Sequence, residues 1–294
     1  MGKRTRGQQI FAVFNALLMV LIIITCLLPL INVLAVSFSK QEAVAAGEVS
    51  LLPVGFTTVA YTTILKDRLF LRTFGNSLLR LLAGVPINLF LAITAAYPLS
   101  KNGNRLAFRQ GYVWFFVTTM LVGGGLIPTY LTIRALGLLG SFWALILPGA
   151  VSAYNMILLL NFFKTIPSEL EEAALIDGAG HWRILWGLYV PCSLPAIATL
   201  TLFFVVGHWN EWFSAQIYLN RTEQYPLQSY LQVLLTQSKN TQNLSLKELE
   251  ELAKVNNRTF NSAQIVLSTL PVLLVYPFLQ RYFVTGLTLG SVKG

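Results

Sequence analysis

The side chains best able to do chemistry are few in this sequence, and their spacing argues against a catalytic or metal site. The two histidines, His181 and His208, have no cysteine or carboxylate neighbours at the spacing that a zinc site needs. His208 and Glu211 have i,i+3 spacing and could touch, but a polar pair at a helix end explains that spacing better than a ligand set does. No apolar stretch holds a carboxylate pair, or a base beside a nucleophile. The sequence therefore predicts no catalytic residue and no metal site.

Phosphate-binding and disulfide patterns are missing as well. The chain has no Gly-x-x-x-x-Gly-Lys-Ser/Thr loop, whose backbone amides and lysine hold nucleotide phosphates. Its two cysteines are Cys26, inside an apolar run, and Cys192, just after a polar segment, and we interpret both as unpaired thiols. We therefore expect the chain itself to bind no cofactor.

A polar, acidic segment between two apolar stretches is the most informative part of the chain. It spans residues 166–179 and reads Ile-Pro-Ser-Glu-Leu-Glu-Glu-Ala-Ala-Leu-Ile-Asp-Gly-Ala. Ser168 and Glu171 have the spacing of a capping box, which predicts that a helix starts at this point. Gly178 permits a backbone turn that other residues resist, and a second short helix is predicted at about 181–189. The segment is too small to form a core of its own.

The predicted first helix presents one side that is small and apolar with a single carboxylate. Helical projection places along that side Leu170, Ala173, Ala174 and Asp177. A shallow knob of this kind suits the groove of another protein. The alternative is an amphipathic helix that lies on the membrane, which the acidic charge disfavours because anionic headgroups would repel it.

The composition indicates which elements must position this segment. Of the 294 residues, 55% are hydrophobic and only 11% are charged, whereas soluble domains carry about 25% charged residues. The net charge of +9 comes from basic residues that lie beside long apolar runs instead of forming a basic stripe. We therefore do not expect nucleic-acid binding. This is the composition of an integral membrane protein.

Apolar stretches of membrane-spanning length occur six times. They cover residues 10–38, 76–99, 112–133, 141–163, 190–213 and 262–280. The first is too long for the apolar part of a signal peptide, and Arg80 in the second could extend its guanidinium to the membrane surface. Each stretch must be helical because hydrocarbon offers backbone amides no other partner. We predict an all-α, polytopic bundle of about six transmembrane helices, with residues 1–294 forming a single membrane domain.

The orientation of the bundle follows from basic residues in the short flanks of the spans, which favour the cytoplasmic side. The deciding residues are Lys3, Arg4 and Arg6 before the first span and Lys101, Arg105 and Arg109 after the second. They predict cytoplasmic N- and C-termini and a cytoplasmic segment at 164–190. The loop at 214–261 then lies on the outer side of the membrane.

The acidic segment resembles the EAA loop of bacterial ATP-binding-cassette (ABC) import permeases. The matching residues are Glu172-Ala173-Ala174, Asp177-Gly178-Ala179, Pro191 and Pro195. Further matches, to the carbohydrate-uptake branch of that family, are residues 124–130, 136–138, 143–148, 209–213 and 290–294. Leu185 departs from the pattern, which often has phenylalanine there, but keeps the apolar character. Within this branch the chain is similar to relatives of the smaller maltose permease subunit, and most similar to permeases for complex polysaccharide fragments, including the subunits of the alginate importer.

This resemblance implies a type I ABC importer permease fold and a place in the bacterial cytoplasmic (inner) membrane. The implied partners are a second permease subunit, a dimer of ABC ATPases with their ATP and Mg, an extracytoplasmic solute-binding protein and an oligosaccharide substrate. In the family, the EAA helix sits in a cleft of an ATPase subunit and transmits closure of the ATPase dimer to the bundle. The residues that the resemblance assigns to this coupling are Glu172, Ala173, Ala174, Asp177 and Gly178.

Aromatic and polar side chains of the spans suggest a substrate pathway, although packing or a place at the membrane surface also explains aromatic residues. The candidates for the pathway are Tyr130, Tyr154, Trp209 and Asn210. Basic residues that the orientation assigns to the outer side are Arg221, Lys239 and Arg258. They fit acidic oligosaccharides such as alginate fragments, and contact with the binding protein explains them equally.

Two other classes of function stay open at this point. An ion-coupled secondary transporter usually keeps ionisable residues at mid-membrane. Here the centres of the spans hold none, apart from Arg80 and Glu211 near span ends. A membrane scaffold or receptor without transport would need no such acidic helix, and co-purification with an ATPase separates it from a permease.

Overall fold

The computed structural model describes residues 6–101, 106–237 and 258–291, and every regular element in these ranges is helical. The chain divides into two compact units. The first holds the described residues up to Arg68 and those from Val233 to Leu270, and the second holds Leu69–Gln232 and the described residues from Pro271 on. The single membrane domain expected for residues 1–294 stays a prediction.

The first unit begins with a long apolar helix, α1, at Arg6–Ser37. Two short helices follow, α2 at Gln41–Ala45 and α3 at Val59–Ile64. Most apolar side chains of α1 are exposed, which is the pattern of a helix surrounded by lipid or by another protein. At the C-terminal end of α1, the hydroxyl oxygens of Ser37 and Tyr61 are 2.7 Å apart, and this hydrogen bond ties α1 to α3.

The second unit contains most of the helices. In chain order they are α4 (Arg68–Ser100), α5 (Arg109–Leu121), α6 (Leu126–Ala135), α7 (Ala153–Phe163), α8 (Ser168–Ile176), α9 (His181–Ile184), α10 (Val190–Cys192), α11 (Leu194–Asn210) and α12 (Phe213–Tyr218). Short 3-10 helices lie at Phe142–Leu145, Leu147–Gly149 and Thr222–Gln224, and a π-helix joins α9 to α10 at Leu185–Tyr189. Among the described helices, three contribute residues to both units: α4, through Arg68 alone, α13 (Leu227–Gln237) and α14 (Arg258–Ser291).

Three helices are long and apolar enough to cross a membrane by themselves, namely α1, α4 and the part of α14 up to Pro277. Three further spans are pairs of helical segments bent at a short break: by 114° between α5 and α6, by 47° before α7, and by 83° between residues 181–192 and α11. Glycine and proline explain the first and third of these breaks, because Gly125 has φ +82° before α6 and Pro195 lies in the first turn of α11. The described residues thus provide up to six spans, which confirms the predicted all-α polytopic architecture.

A buried core in the second unit joins the helices from which the acidic segment emerges. It is built from α4, α7, α9, the π-helix and α11, with Ala96, Met156, Phe163, Ile184 and Leu200 among its buried members. The small side chain of Ala96 on α4 allows neighbouring helices to approach closely. This packing holds the ends of the two spans that flank residues 164–180.

Arg80 does not extend to the membrane surface, so that prediction is wrong. The residue is 3% exposed, and its guanidinium donates to Glu211 Oε2 at 2.8 Å. It also donates to the backbone oxygens of Leu145 and Glu211, each at 3.1 Å. A carboxylate and two carbonyls inside the protein satisfy the charge, so the side chain has no need of the headgroup region.

His208 finds its close partner on α4 and not at Glu211, which the i,i+3 spacing had suggested. Its Nε2 lies 2.6 Å from Asn88 Oδ1. The Asn88 amide in turn donates to the carbonyl oxygens of Gly149 and Ala150, at 2.9 and 2.7 Å. The ring also lies against Gly84, where an added Cβ would be 2.6 Å from Nε2. These contacts join α4 and α11 to the break that precedes α7.

The predicted outer loop, residues 214–261, is described up to residue 237 and again from 258. Its first part contains α12, the 3-10 helix at Thr222–Gln224 and α13. Asn76 on α4 holds this part in place by donating to the carbonyl oxygens of Glu223 and Tyr225, at 2.9 and 3.1 Å. Lys239, one of the basic residues assigned to the outer side, lies outside the described residues.

Candidate functional site

The acidic segment does form a helix that begins at Ser168, but the capping box that predicted this start is wrong. Pro167 occupies the N-cap position with φ −56° and ψ 134°, and no side chain caps the helix. Proline suits this place because it lacks the amide that a helix continuing from α7 would need. Glu171 does not reach back to the helix start because its carboxylate is bonded elsewhere.

Glu171 is turned into the protein and is only 3% exposed. Its Oε2 accepts hydrogen bonds from Lys101 Nζ at 2.7 Å and from the Tyr189 hydroxyl at 2.8 Å. Lys101 Nζ also lies 3.9 Å from the ring centroids of both Tyr97 and Tyr189, which is cation–π distance. A buried carboxylate, an ammonium and two aromatic rings thus form one charged cluster, which we call the Lys101–Glu171 cluster.

The sequence did not reveal this cluster because its members are far apart along the chain. Lys101 directly follows α4 and was used only to assign the orientation, whereas Tyr189 ends the π-helix. The π-helix itself also escaped prediction, although the second short helix was expected over the same residues. A π-turn inserts an extra residue into a helical turn and so changes the direction in which the following side chains point. A lysine next to an apolar stretch fits many different surroundings, so this pattern could not identify Lys101 as the partner of Glu171.

The faces of α8 differ from the helical projection. Ala174 packs against the buried core, together with the inward Glu171, whereas Leu170 and Ala173 are exposed. The other exposed residues of the segment are Pro167, Ser168, Glu169, Glu172, Leu175, Ile176, Asp177 and Gly178. Ile176 is 86% exposed, which is unusual for a large apolar side chain at a helix end. The outward face of α8 therefore combines carboxylates with apolar side chains, and four of the five predicted coupling residues lie on it.

The turn after α8 is a Schellman motif, in which two backbone bonds close the helix end. The amide of Gly178 donates to the Leu175 oxygen at 3.0 Å, and the amide of Ala179 donates to the Ala174 oxygen at 2.9 Å. Gly178 has φ +76°, a backbone conformation that residues with a Cβ rarely adopt. Gly180 has φ −71° and starts α9. The predicted helix-turn-helix is confirmed, and its turn depends on the glycine at 178.

An apolar cavity opens beside α8. It has a volume of about 610 Å³ and lies between α8, α9 and the end of α4. Residues at its wall include Tyr97, Leu175, Trp182 and Leu185. Trp182, like Ile176, is strongly exposed. Contiguous exposed apolar surface next to charged groups is typical of a protein–protein interface.

Residues 111–288 match the family described as "binding-protein-dependent transport system inner membrane component". The chain belongs to this family. It is 41% identical to the polygalacturonan/rhamnogalacturonan transport system permease protein YtcP of Bacillus subtilis, over 96% of this chain and 97% of YtcP. It is 38% identical to Protein LplC of the same organism, over 99% of this chain and 97% of LplC.

A solved structure extends the likeness to three dimensions. The permease superposes with a TM-score of 0.86 and 35% identity on a chain from a bacterial ABC transporter involved in the import of the acidic polysaccharide alginate, over 96% of this chain and all of that one. The family resemblance inferred from the acidic segment is thereby confirmed. The protein is an ABC permease component of the inner membrane and is not itself an ATPase.

The predicted pathway residues of the permease have different surroundings. Tyr154 and Asn210 are exposed. Tyr130 is half-buried and stacks on Tyr218 with ring centroids 6.5 Å apart. Burial raises the pKa of the Tyr218 phenol. Trp209 is 2% exposed and meets Phe74 edge to face at 5.9 Å. It offers no ring face to a sugar, so packing within the second unit explains it better than a place in the pathway.

Proposed function

We propose that the permease is one membrane-spanning subunit of an ATP-driven importer of oligosaccharides, and that α8 is the helix through which a partner ATPase acts on it. The observation that carries this proposal is the geometry of α8. Its inner face is bonded to the end of α4, while its outer face presents carboxylates and apolar side chains with no covering element in the described second unit. A helix that is firmly seated and yet exposed is suited to receive a partner and to pass on its movement.

The residues we assign to this coupling are Glu172, Ala173, Ala174, Asp177 and Gly178. Glu172 and Asp177 offer exposed charge to a basic groove, and Ala173 lets a partner approach the helix backbone closely. Gly178 sets the turn, and Ala174 seats the helix on the core. The neighbouring cavity, with Leu175 and Trp182 at its wall, adds apolar surface for the same partner.

The complete transporter would contain this permease, a second permease subunit, two ATPase subunits that hold ATP and Mg, and an extracytoplasmic solute-binding protein. The family description, which names binding-protein-dependent transport, supports the last of these. The exposed apolar surface of α1 supports a partner within the membrane. The orientation we propose has both termini and residues 164–190 in the cytoplasm.

The substrate we propose is an acidic oligosaccharide. Two relatives support this choice, since one is named for polygalacturonan and rhamnogalacturonan and the other comes from an importer of the acidic polysaccharide alginate. Arg221 and Arg258 are exposed and could meet carboxylates on the outer side. Tyr154, Asn210 and the ring of Tyr130 are the pathway contacts that we assign to the sugar.

The energy source of uptake, ATP or an ion gradient, tests the proposed function most directly. We expect uptake of an oligogalacturonate into proteoliposomes of the complete complex to require enclosed ATP and to persist when ionophores remove all ion gradients. Arg80 and Glu211 are ionisable side chains near span ends, and an ion-coupled transporter usually keeps ionisable side chains within its spans to bind the ion. Uptake driven by a proton or sodium gradient, with no ATPase attached, would therefore establish the alternative function.

The charge of Glu172 should be required for attachment of the ATPase. In the variant Glu172→Lys we expect retention of ATPase subunits on the purified permease to fall at least about tenfold, because a reversed charge at a complementary interface costs several kcal/mol. The measurement is the ratio of ATPase to permease after affinity purification of the permease. Glu223→Lys reverses another exposed charge, on the predicted outer loop, and should keep the full ratio. Equal ratios for the two variants would contradict the coupling assignment.

The orientation can be tested by cysteine labelling from one side of the membrane. The native thiols Cys26 and Cys192 are exposed and are first replaced by serine. In intact cells we expect a membrane-impermeant maleimide to label Glu223→Cys but not Glu169→Cys, because these exposed positions lie on opposite sides in the proposed orientation. After the cells are opened, both should react. Labelling of residue 169 alone in intact cells would reverse the topology.

A further inference from the structure

The Lys101–Glu171 cluster brings together separate segments of the chain at one carboxylate oxygen. Lys101 follows α4, Glu171 belongs to α8 and Tyr189 ends the π-helix, and both donors meet Glu171 Oε2 at less than 3 Å. A second contact runs alongside, since the Tyr97 hydroxyl lies 3.1 Å from His181 Nδ1. The cluster therefore links α8 and α9 directly to the end of a membrane span.

Local structure alone gives α8 little rigidity. It is a 9-residue helix without a side-chain cap, and isolated helices shorter than about 12–15 residues are marginal in water. Among its residues only Glu171 is buried, so the rest of the helix contributes little to a core. The orientation of α8 thus depends on the few side chains that reach inward. Among these, Glu171 makes charged hydrogen bonds to Lys101 and Tyr189.

The contacts of the Lys101–Glu171 cluster are suited to transmit a movement between α8 and α4. A charge-assisted hydrogen bond of 2.7 Å is among the stronger polar contacts in proteins. Both side chains are nearly enclosed, so water competes weakly for either charge. The two tyrosine rings hold the ammonium from further directions, which restricts Lys101 to one geometry.

We propose that Lys101 and Glu171 are positioning residues that fasten the coupling helix α8 to α4, so that both move as one body when the ATPases close. This inference rests on the proposed function of α8 but concerns a different interaction. Glu172 faces the partner, whereas Glu171, the next residue, faces the permease itself. The two neighbouring carboxylates thus have different tasks. Glu172 receives the movement of the ATPase, and Glu171 passes it to α4, the first membrane span of the second unit.

A distance between spin labels on the two helices tests this proposal. In a background without native cysteines, labels at Ser168→Cys on α8 and Leu82→Cys on α4 occupy exposed positions. We expect the distance in the complete complex to change by less than about 2 Å between the nucleotide-free and the ATP-vanadate states, which is within the range of small helix shifts. A larger change in the otherwise unaltered complex would overturn the proposal.

The decisive variant removes both charges together. In Lys101→Met/Glu171→Met no unpaired charge is left in the interior, and replacing a buried ion pair in this way is often tolerated. We expect this variant to retain its ATPase. The distance between its two spin labels should change by more than about 2 Å between the nucleotide-free and ATP-vanadate states, or its distribution should broaden by that amount. The matched control Lys164→Met/Glu169→Met removes one exposed charge of each sign from the same segment, neither of them a proposed coupling residue, and should behave as the wild type.

Each remaining outcome is also informative. An unchanged distance in the double variant would show that the cluster does not fasten the helices. Failure of the double variant to assemble or to retain its ATPase would mean that the cluster serves stability alone, and the proposal would be withdrawn. Failure of the coupling assignment itself is recognised separately, by Glu172→Lys retaining the ATPase.

Discussion

Gly178→Thr is expected to reduce ATP-driven uptake at least about tenfold while the protein still inserts into the membrane. Gly178 has φ +76°, and a residue with a Cβ pays about 1–2 kcal/mol in this conformation, at the upper end for a β-branched one. A penalty of that size changes the population of a local conformation by a factor of about 5–30. The turn that orients α8 against α9 would therefore give way, and the exposed coupling residues would lose their positions.

A second glycine in the same turn provides the control. Gly180 has φ −71°, which suits threonine, and it occupies the N-cap of α9, where threonine is acceptable. A Cβ added at either glycine meets no atom within 4 Å, so the two substitutions differ in backbone strain and not in crowding. Gly180→Thr should therefore keep most of the uptake. Equal uptake by the two variants, at equal amounts in the membrane, would show that the turn does not control coupling.

Glu211→Met is expected to cause the largest loss of stability. It would leave the Arg80 guanidinium buried without its carboxylate, and breaking a buried pair on one side costs about 3–5 kcal/mol. Because the Glu211 side chain is 31% exposed, solvent screens part of the charge and we expect the lower value. In detergent this should appear as a fall in melting temperature of roughly 6–12 °C.

The partner variants distinguish a lost pair from a lost side chain. Arg80→Met should cost less than Glu211→Met, because the remaining carboxylate is partly exposed and still accepts the Ser214 amide at 2.8 Å. Arg80→Met/Glu211→Met should recover part of the melting temperature, since no unpaired charge remains. Arg72→Met removes an exposed arginine of the same helix and should change little. A double variant less stable than both single variants would contradict this account.

The paired Arg80 and Glu211 also bear on the choice between energy sources. The two charges are paired with each other within the protein. The guanidinium also donates to the backbone oxygen of Glu211, just before α12, and to that of Leu145, at the end of a 3-10 helix. A closed pair of this kind holds segments together and offers no open ligand set for a transported cation. Together with the family, this favours coupling through α8 over coupling to an ion gradient.

The sequence by itself was enough to predict the class of the protein. Long uncharged stretches must become helices in lipid, since the backbone has no other partner there, and up to six spans follow. The acidic segment was also predictable, as a helix that starts at Ser168 and turns at Gly178, because proline and glycine act over a few positions; the capping box expected of Ser168 and Glu171 does not form. The missing phosphate loop implied that energy must come from elsewhere.

The tertiary structure decided which way the polar side chains point. The spacing of Ser168 and Glu171 favoured a capping role for Glu171 in its own helix. The ammonium of Lys101 and the hydroxyl of Tyr189 provide stronger partners in the interior. Arg80 had the membrane surface within reach, but Glu211 satisfies its charge inside the protein. These partners lie 18 to 131 positions away along the chain. Electrostatic pairing acts through space, and a pattern read along the chain contains no information on which distant residues the fold will bring together.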